Sequence, residues 1–223
     1  DEILGANVLI KPQEMGLIAS AGHSEVEVYK KPKVGIISTG NELLTNQEEL
    51  KPGKIYDVNS EMIKAGVNNC GGEGECLGIV KDVYDDLKAK IQDSLKECDI
   101  LLCSGGTSAG VGDNIRHILD ELGEVYIHGI TVQPGKPTLL GVVDEKIVIG
   151  LPGNPVSAIV IFNVFVAPAI NMTTFTASLI FFALATEALG DSKLAADVTG
   201  NEYKPDDVIL GNGVASMVAS LFG

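Results

Sequence analysis

Short apolar runs alternate with amphipathic segments over most of the chain, and this alternation predicts its secondary structure. The apolar runs predict strands at residues 26–29, 34–38, 76–80, 100–103, 125–130, 138–143 and 147–150. Helical periodicity and helix-start residues predict helices at 12–20, 61–67, 84–98, 114–122 and 156–170. The helix at 84–98 is the clearest, because Leu87, Ile91 and Leu95 recur every four residues. Alternating strands and helices predict an α/β protein with a three-layer α/β/α arrangement around a mostly parallel sheet.

The pattern of apolar and polar residues changes at both ends of this region. Residues 1–31 contain too few apolar side chains for a core of their own, and we interpret them as the tail of a preceding domain with a linker. Residues 32–170 hold the alternating strands and helices, so they are predicted to form the α/β domain. Residues 171–223 show a different pattern of apolar and polar residues, and the segment is too short for us to assign it a separate core.

The charge balance excludes two classes of partner. The chain carries 16 Lys and Arg against 30 Asp and Glu, a formal net charge of −14, whereas nucleic acids and anionic membrane surfaces attract basic proteins.

The most apolar region, 156–189, is interrupted by polar residues and a proline. Neither of its halves reaches the roughly 20 apolar residues that a membrane span needs. We therefore expect neither nucleic-acid binding nor membrane insertion.

Four cysteines have no spacing typical of a metal site, and one of them lies in a predicted buried strand. They are Cys70, Cys76, Cys98 and Cys103. We expect reduced thiols without a chemical role, in a cytoplasmic protein. The first residues do not combine a charged segment with a following apolar core, so no signal peptide is expected.

A glycine-rich turn follows the apolar run at 100–103 and predicts an anion-binding pocket. Its first residues are Ser104, Gly105, Gly106, Thr107 and Ser108. The glycines allow positive φ and close backbone approach, so N–H groups and the three hydroxyls can converge on one oxyanion. The N-terminus of the helix predicted at 114–122 adds a partial positive charge beside the turn. The alternative is an ordinary strand-to-helix connection with spare glycines.

Three carboxylates, each placed after a predicted strand, indicate a divalent cation. They are Glu42, Asp82 and Asp113. Because the carboxyl ends of parallel strands meet at one edge of a sheet, we expect these groups to lie close together. Their hard oxygens suit Mg²⁺, which binds one or two carboxylates together with substrate phosphates. Lys136, restrained between Pro134 and Pro137, would neutralise further charge. These residues predict a Mg²⁺-assisted site for a phosphorylated small molecule; solvated loop side chains are the alternative.

Five motifs in a fixed order carry a resemblance to a known family. They are STGNEL at 38–43, IYDVNS at 55–60, SGGTS at 104–108 with GD at 112–113, PGKP at 134–137 and LPGNPVS at 151–157. Over about residues 1–170 the chain resembles the MoeA family of molybdopterin molybdotransferases, which includes the E domain of gephyrin. The resemblance implies a MogA-like molybdopterin-binding domain at 32–170 and the end of an N-terminal domain at 1–31. It also implies a divergent or shortened C-terminal β-barrel-like segment at 171–223.

The resemblance also implies a reaction and roles for single residues. The reaction inserts molybdate into the dithiolene of adenylated molybdopterin, with Mg²⁺-assisted release of AMP, in molybdenum cofactor biosynthesis. Glu42, Asp82 and Asp113 match the family's functional acidic residues, Lys136 and Ser157 match groups that hold molybdate, and Pro152 and Pro155 match active-site prolines. The turn at 104–108 would face the pterin phosphate. A homodimer and a MogA-type adenylyltransferase as a partner are further expectations.

Departures from the family pattern leave other functions open. Asn41 stands where an acidic residue often precedes Glu42, so weaker metal binding is expected. The chain resembles an N-terminally truncated member, and weak activity of this piece alone is expected. One alternative is a MogA-type molybdopterin adenylyltransferase, which shares the fold. CinA-like proteins share the motif at 38–44 but differ in the glycine turn. A third alternative is a scaffold that binds a partner without catalysis.

Overall fold

The computed structural model describes residues 3–6, 8–106 and 114–171. The strands are β1 Lys33–Thr39, β2 Leu43–Leu44, β3 Ile55–Tyr56, β4 Glu73–Val80, β5 Ile100–Ser104, β6 Glu124–His128, β7 Leu139–Val143 and β8 Lys146–Leu151. The helices are α1 Pro12–Ser20, α2 Asn59–Asn69, α3 Tyr84–Glu97, α4 Asn114–Leu122, α5 Pro155–Ile161 and α6 Ala167–Asn171, with a π-helical segment Phe162–Val166 between the last two. Most of these elements were predicted from the apolar pattern, with boundaries displaced by a few residues.

Six strands form one sheet in the order β4, β1, β5, β8, β7, β6. The first four run parallel, and β7 is antiparallel to both of its neighbours. The short strands β2 and β3 pair separately, in parallel. The predicted mostly parallel sheet is therefore confirmed. The antiparallel strand follows from the short connection between β7 and β8, since only a hairpin can join two adjacent strands with so few residues.

Helices cover both faces of this sheet, which confirms the three-layer arrangement. On one face α2, α5 and α6 contribute to a buried cluster that includes Ile36 and Leu102. On the other face α3 and α4 contribute to a second cluster that includes Ile37 and Leu101. Alternate residues of β1 and β5 thus serve opposite faces, which explains their continuous apolar runs. Each fully buried aliphatic side chain of this kind contributes about 1.5–3 kcal/mol.

Register places the carboxyl ends of the four parallel strands side by side. Thr39 of β1 is paired with Val80 of β4, and Ser38 of β1 is paired with Ser104 of β5. Ser104 is paired in turn with Leu151 of β8. We call this border of the sheet the carboxyl edge. The opposite border, at which Lys33 and Ile100 begin their strands, is the amino edge.

The structure corrects two predicted elements. Residues 26–29 form no strand; their side chains are exposed, so their apolar pattern is not stabilised by burial against the sheet. The helix predicted at 156–170 is interrupted by the π-helical segment, in which the N–H of Ala167 donates to the carbonyl of Phe162. Pro168 has no N–H for the carbonyl of residue 164, which accounts for the break in the α-helical ladder.

The two ends of the described chain differ from the sheet region. Helix α1 has the predicted bounds but no buried residue. The division into 1–31, 32–170 and 171–223 stays a prediction, and nearly all of the last segment lies outside the described residues. No helix in the described part of the chain is both long and apolar enough to span a membrane.

Candidate functional site

The carboxyl edge gathers the loops that carry most of the predicted site residues. Glu42 follows β1, Asp82 follows β4, Ser104 ends β5, and the loop at 152–157 follows β8. Lys136 reaches the same edge by another route, because it precedes β7, whose first residue is paired with Gly150 near the end of β8. Thr107, Ser108 and Asp113 lie outside the described residues.

Asp82 is held by contacts from two other elements. Its carboxylate Oδ1 accepts a hydrogen bond from the hydroxyl of Thr39, which is buried at the end of β1. The N–H of Asp82 donates to Oδ1 of Asn41 over 3.3 Å, and its carbonyl accepts from the side-chain amide of Asn114 over 3.4 Å. The carboxylate therefore has a fixed place at the edge. Sequence reasoning missed Thr39 and Asn114, because a hydroxyl or an amide beside a strand end carries no local signal.

Glu42 presents an exposed carboxylate on a fixed backbone. Its carbonyl accepts a hydrogen bond from the N–H of Ile55 over 3.0 Å, which anchors it to the small β2–β3 ladder. Its side chain folds back over Gly40, where an added Cβ would lie 2.9 Å from each carboxylate oxygen. Only the absence of a side chain at Gly40 leaves room for this orientation.

The chemistry of the donors at this edge fits Mg²⁺. Glu42 and Asp82 supply hard carboxylate oxygens, and Mg²⁺ commonly takes one or two carboxylates together with substrate phosphates and water. Among the described residues no group of three or more His, Cys, Asp and Glu side chains could hold a metal ion. The third predicted carboxylate, Asp113, belongs to the undescribed part, so the metal set stays a prediction.

The glycine turn after β5 requires its glycines. Gly105 has φ +92° and Gly106 has φ +63°, and an added Cβ on Gly105 would lie 2.3 Å from the carbonyl oxygen of Thr39. The N–H of Gly105 donates to the carbonyl of Leu151 over 3.2 Å, so this N–H already has a partner. An anion at the turn would have to use other donors. The predicted role of the 104–108 turn is untested.

Two helix N-termini near this edge are capped by the chain itself. Oδ1 of Asp57 accepts from the N–H groups of Asn59 and Ser60 over 3.1 and 3.2 Å, at the start of α2. Oδ1 of Asn154 accepts from the N–H groups of Val156 and Ser157 over 3.0 and 3.2 Å, at the start of α5. These caps satisfy helix donors that an anionic ligand could otherwise use.

Lys136 has a fixed backbone and an exposed side chain. Its carbonyl accepts from the N–H of Ile130 over 2.9 Å. The hydroxyl of the buried Thr138 donates to the carbonyl of Gly135 over 2.6 Å, and the carbonyl of Thr138 accepts from Gly129. The restraint that the flanking prolines predict is thus supplemented by hydrogen bonds on both sides. The ammonium group is presented to solvent at the carboxyl edge.

The loop after β8 places its predicted residues at different depths. Pro152 is buried, whereas Pro155 is exposed at the first position of α5. Ser157 is partly buried, with its hydroxyl 3.5 Å from Oδ1 of Asn154. Oδ1 of Asn154 thus accepts from both the backbone N–H and the side-chain hydroxyl of Ser157.

The cysteines take no part in this site. All four are free of disulfides. Burial raises the pKa of Cys103 to about 12, and burial also raises the pKa of Cys98 and of Cys76. Because the thiolate is the reactive form of cysteine, these thiols are poor nucleophiles near neutral pH.

Comparisons with known proteins cover the same part of the chain. A model of the family described as "probable molybdopterin binding domain" matches residues 35–172. The molybdopterin molybdenumtransferase of Nostoc sp. is 37% identical over 174 residues, which are 76% of this chain and 40% of that protein. The protein of the same name from Haemophilus influenzae is 35% identical over 170 residues, 76% of this chain and 42% of that protein. The chain thus spans about two fifths of the length of these relatives.

Solved structures give the same picture of the fold. A crystal structure of a molybdopterin biosynthesis MoeA protein from Pyrococcus horikoshii is 42% identical, with a TM-score of 0.66, and the match covers 71% of this chain and 39% of that chain. A crystal structure of molybdenum cofactor biosynthesis protein B has a TM-score of 0.51 at 15% identity. That match covers 67% of this chain and 98% of the other, and it shows similarity of fold alone.

Proposed function

The chain belongs to the family of probable molybdopterin binding domains, and from this premise we propose that it is the substrate-binding part of a molybdopterin molybdotransferase. The substrates are adenylated molybdopterin and molybdate. The reaction inserts molybdate into the dithiolene of the pterin and releases AMP, as a step of molybdenum cofactor biosynthesis. Two curated relatives that carry the name molybdopterin molybdenumtransferase support this choice over the MogA-type adenylyltransferase.

One observation carries the proposal. The structure brings Glu42, Asp82, the turn at 104–106, Lys136 and the loop at 152–157 to one edge of one sheet. These groups combine carboxylates for a metal, a compact turn for a phosphate and an exposed cation for an oxyanion. The overall charge of −14 opposes the binding of an anionic substrate, and these groups would offset that repulsion locally.

The proposed roles follow the positions of the side chains. Asp82, fixed by Thr39, and the exposed Glu42 would hold Mg²⁺ together with Asp113. When bound, Mg²⁺ would neutralise phosphate charge as AMP leaves. Lys136 and Ser157 would hold molybdate, and the residues of the 104–108 turn would face the pterin phosphate. Pro152 and Pro155 would shape the wall between them.

The proposal extends to assembly and location. We propose a homodimer, a MogA-type adenylyltransferase as the supplier of the adenylated substrate, and a cytoplasmic site of action. The four cysteines without disulfides support the last point.

AMP release tests the proposed function. The chain is incubated with adenylated molybdopterin and Mg²⁺, with molybdate added or withheld, and AMP is quantified. We expect release that depends on molybdate. Binding of the adenylated substrate without release would restrict the function of this chain to substrate binding. Absence of binding, or transfer of AMP from ATP to molybdopterin without molybdate, would overturn the proposal.

A further inference from the structure

One buried side chain joins two loops of the carboxyl edge. Asn59, the first residue of α2, is only 6% exposed. Its amide nitrogen Nδ2 donates to the hydroxyl oxygen of Ser104 over 2.7 Å and to the carbonyl of Gly153 over 2.8 Å. Ser104 ends β5 and begins the glycine turn, while Gly153 lies in the loop after β8. A residue of a third element therefore connects the two loops.

The geometry explains why the residue is an asparagine. Both hydrogens of one amide nitrogen are used, one for each loop, and an aspartate of the same size has no hydrogen to donate. A serine or threonine has only one, and a glutamine is longer by a methylene group. The side-chain oxygen Oδ1 of Asn59 has no hydrogen-bond donor among the described residues. The two donated bonds therefore determine the orientation of the amide.

The two loops touch at the place that Asn59 spans. An added Cβ on Gly153 would lie 3.5 Å from Cα of Gly105, and the N–H of Gly105 donates to the carbonyl of Leu151. A displacement of either loop would therefore change the position of the other. Because Ser157 belongs to the loop at 152–157, the distance between the two loops also sets the distance between the glycine turn and Ser157.

We propose that Asn59 is a positioning residue that holds the glycine turn and the loop at 152–157 at the separation which the substrate requires. This inference rests on the proposed function, because the turn and the loop are the two parts that would contact phosphate and molybdate. Loss of the two donated bonds leaves the fold intact but loosens both loops. The ligand is then bound less tightly, because part of its binding free energy is spent on ordering them.

Asn59→Asp is the direct test. An aspartate at the first position of α2 suits the helix dipole, whereas its buried carboxylate would face the Gly153 carbonyl, so urea titration first establishes that this variant folds. The matched control is Asn68→Asp near the other end of α2: Oδ1 of Asn68 accepts from the N–H of Gly74 over 2.9 Å, a role that a carboxylate can keep. Both variants add the same charge to the same helix. Ser104→Ala, which removes only one of the two acceptors, provides a milder second variant if Asn59→Asp does not fold.

Amide hydrogen exchange, followed by NMR, reports on the connection without any ligand. We expect the Gly105 N–H to exchange at least about tenfold faster in Asn59→Asp than in Asn68→Asp, with a smaller increase in Ser104→Ala. The N–H of Asp99, which donates to the carbonyl of Lys33 over 2.8 Å at the amino edge, where β1 and β5 begin, serves as an internal reference and keeps its rate. Equal Gly105 rates in the Asn59 and Asn68 variants would overturn the proposal.

Calorimetric titration with adenylated molybdopterin and Mg²⁺ then tests the positioning role. We expect Asn59→Asp to weaken binding about tenfold and Asn68→Asp to leave it unchanged. Faster exchange at Gly105 with unchanged affinity would overturn the positioning role, because Asn59 would then act on the fold alone. If the unmodified chain does not bind the substrate, the proposed function fails, while the exchange rates still decide whether Asn59 holds the two loops.

Discussion

The two edges of the main sheet use their polar groups in different ways. At the amino edge, the N–H of Lys33 donates to the carboxylate of Asp99 over 2.8 Å, the N–H of Asp99 donates to the carbonyl of Lys33, and the N–H of Glu73 donates to the carbonyl of Pro32. The ammonium group of Lys146 donates to the carbonyl of Leu95. The charged side chains of Asp99 and Lys146 thus complete the hydrogen bonding of the chain's own backbone.

At the carboxyl edge, charged side chains are anchored but remain available. Thr39 binds one oxygen of Asp82, whereas Glu42 and Lys136 are exposed. A cavity of about 290 Å³ opens at the amino edge, next to Gly35 and Cys98, and contains no residue of the candidate site. The Cys98 thiol donates to the carbonyl of Ser94 there. The candidate site therefore lies where the fold leaves charged side chains exposed, and not at this cavity.

Two glycine substitutions, one at each edge, test this comparison with the largest expected effect. At the carboxyl edge, a Cβ added to Gly105 would lie 2.3 Å from the carbonyl oxygen of Thr39. Near the amino edge, a Cβ added to Gly123 would lie 2.0 Å from the carbonyl oxygen of Val142. We expect Gly105→Ala and Gly123→Ala each to lower the free energy of unfolding by about 3 kcal/mol or more in urea titrations. Only Gly105→Ala should also weaken binding of adenylated molybdopterin. Equal affinities of the two variants would contradict the distinction between the edges.

A pair of aspartate substitutions separates activity from stability. We expect Asp82→Asn to lower molybdate-dependent AMP release about 100-fold, because a neutral amide is a poor ligand for Mg²⁺. Asp99→Asn should leave AMP release within about twofold, since an amide oxygen can still accept from the Lys33 N–H. Urea titration of both variants controls for folding. Full activity in a correctly folded Asp82→Asn variant would exclude Asp82 from the metal site.

Substitutions of Lys136 and Lys146 are expected to have smaller effects than the aspartate substitutions. Lys136→Met should raise the molybdate concentration needed for half-maximal AMP release about tenfold, because an exposed cation at the site is lost. Lys146→Met, at the amino edge, removes the donation to Leu95 and should leave the molybdate dependence unchanged. The measurement is AMP release over a range of molybdate concentrations. An unchanged value for Lys136→Met would reduce this lysine to a turn residue.

The smallest expected effect concerns the thiol next to Ser104. Because burial raises the pKa of Cys103 from 9.0 to about 12, the folded chain keeps this proton at pH values at which the unfolded chain loses it. Stability should therefore fall as the pH rises from about 9 towards 12, by at most about 1.4 kcal/mol per pH unit for this thiol. Urea titrations at pH 8 and pH 10 measure the loss. In Cys103→Ala the pH dependence should be shallower; an unchanged dependence would assign the loss to other groups.

Much of the fold could be predicted because it depends on local pattern. The continuous apolar runs of β1 and β5 indicated strands buried on both faces, and the period of Leu87, Ile91 and Leu95 indicated α3. The family resemblance drawn from five motifs is confirmed by the family match and the relatives. The pattern was wrong at 26–29, where no strand forms, because an apolar run does not reveal whether a neighbouring strand exists to pair with it.

The sequence by itself determined which residues end the parallel strands, and hence that Glu42 and Asp82 would meet at one edge. Only the tertiary structure decided how those ends are held. The Thr39–Asp82 bond joins residues 43 positions apart, and the bonds of Asn59 reach 45 positions to Ser104 and 94 positions to Gly153. Hydrophobic periodicity specifies only which face a residue occupies. The partner of a polar side chain depends on which elements the fold brings next to it, and neither Thr39 nor Asn59 carries a local sign of that partner.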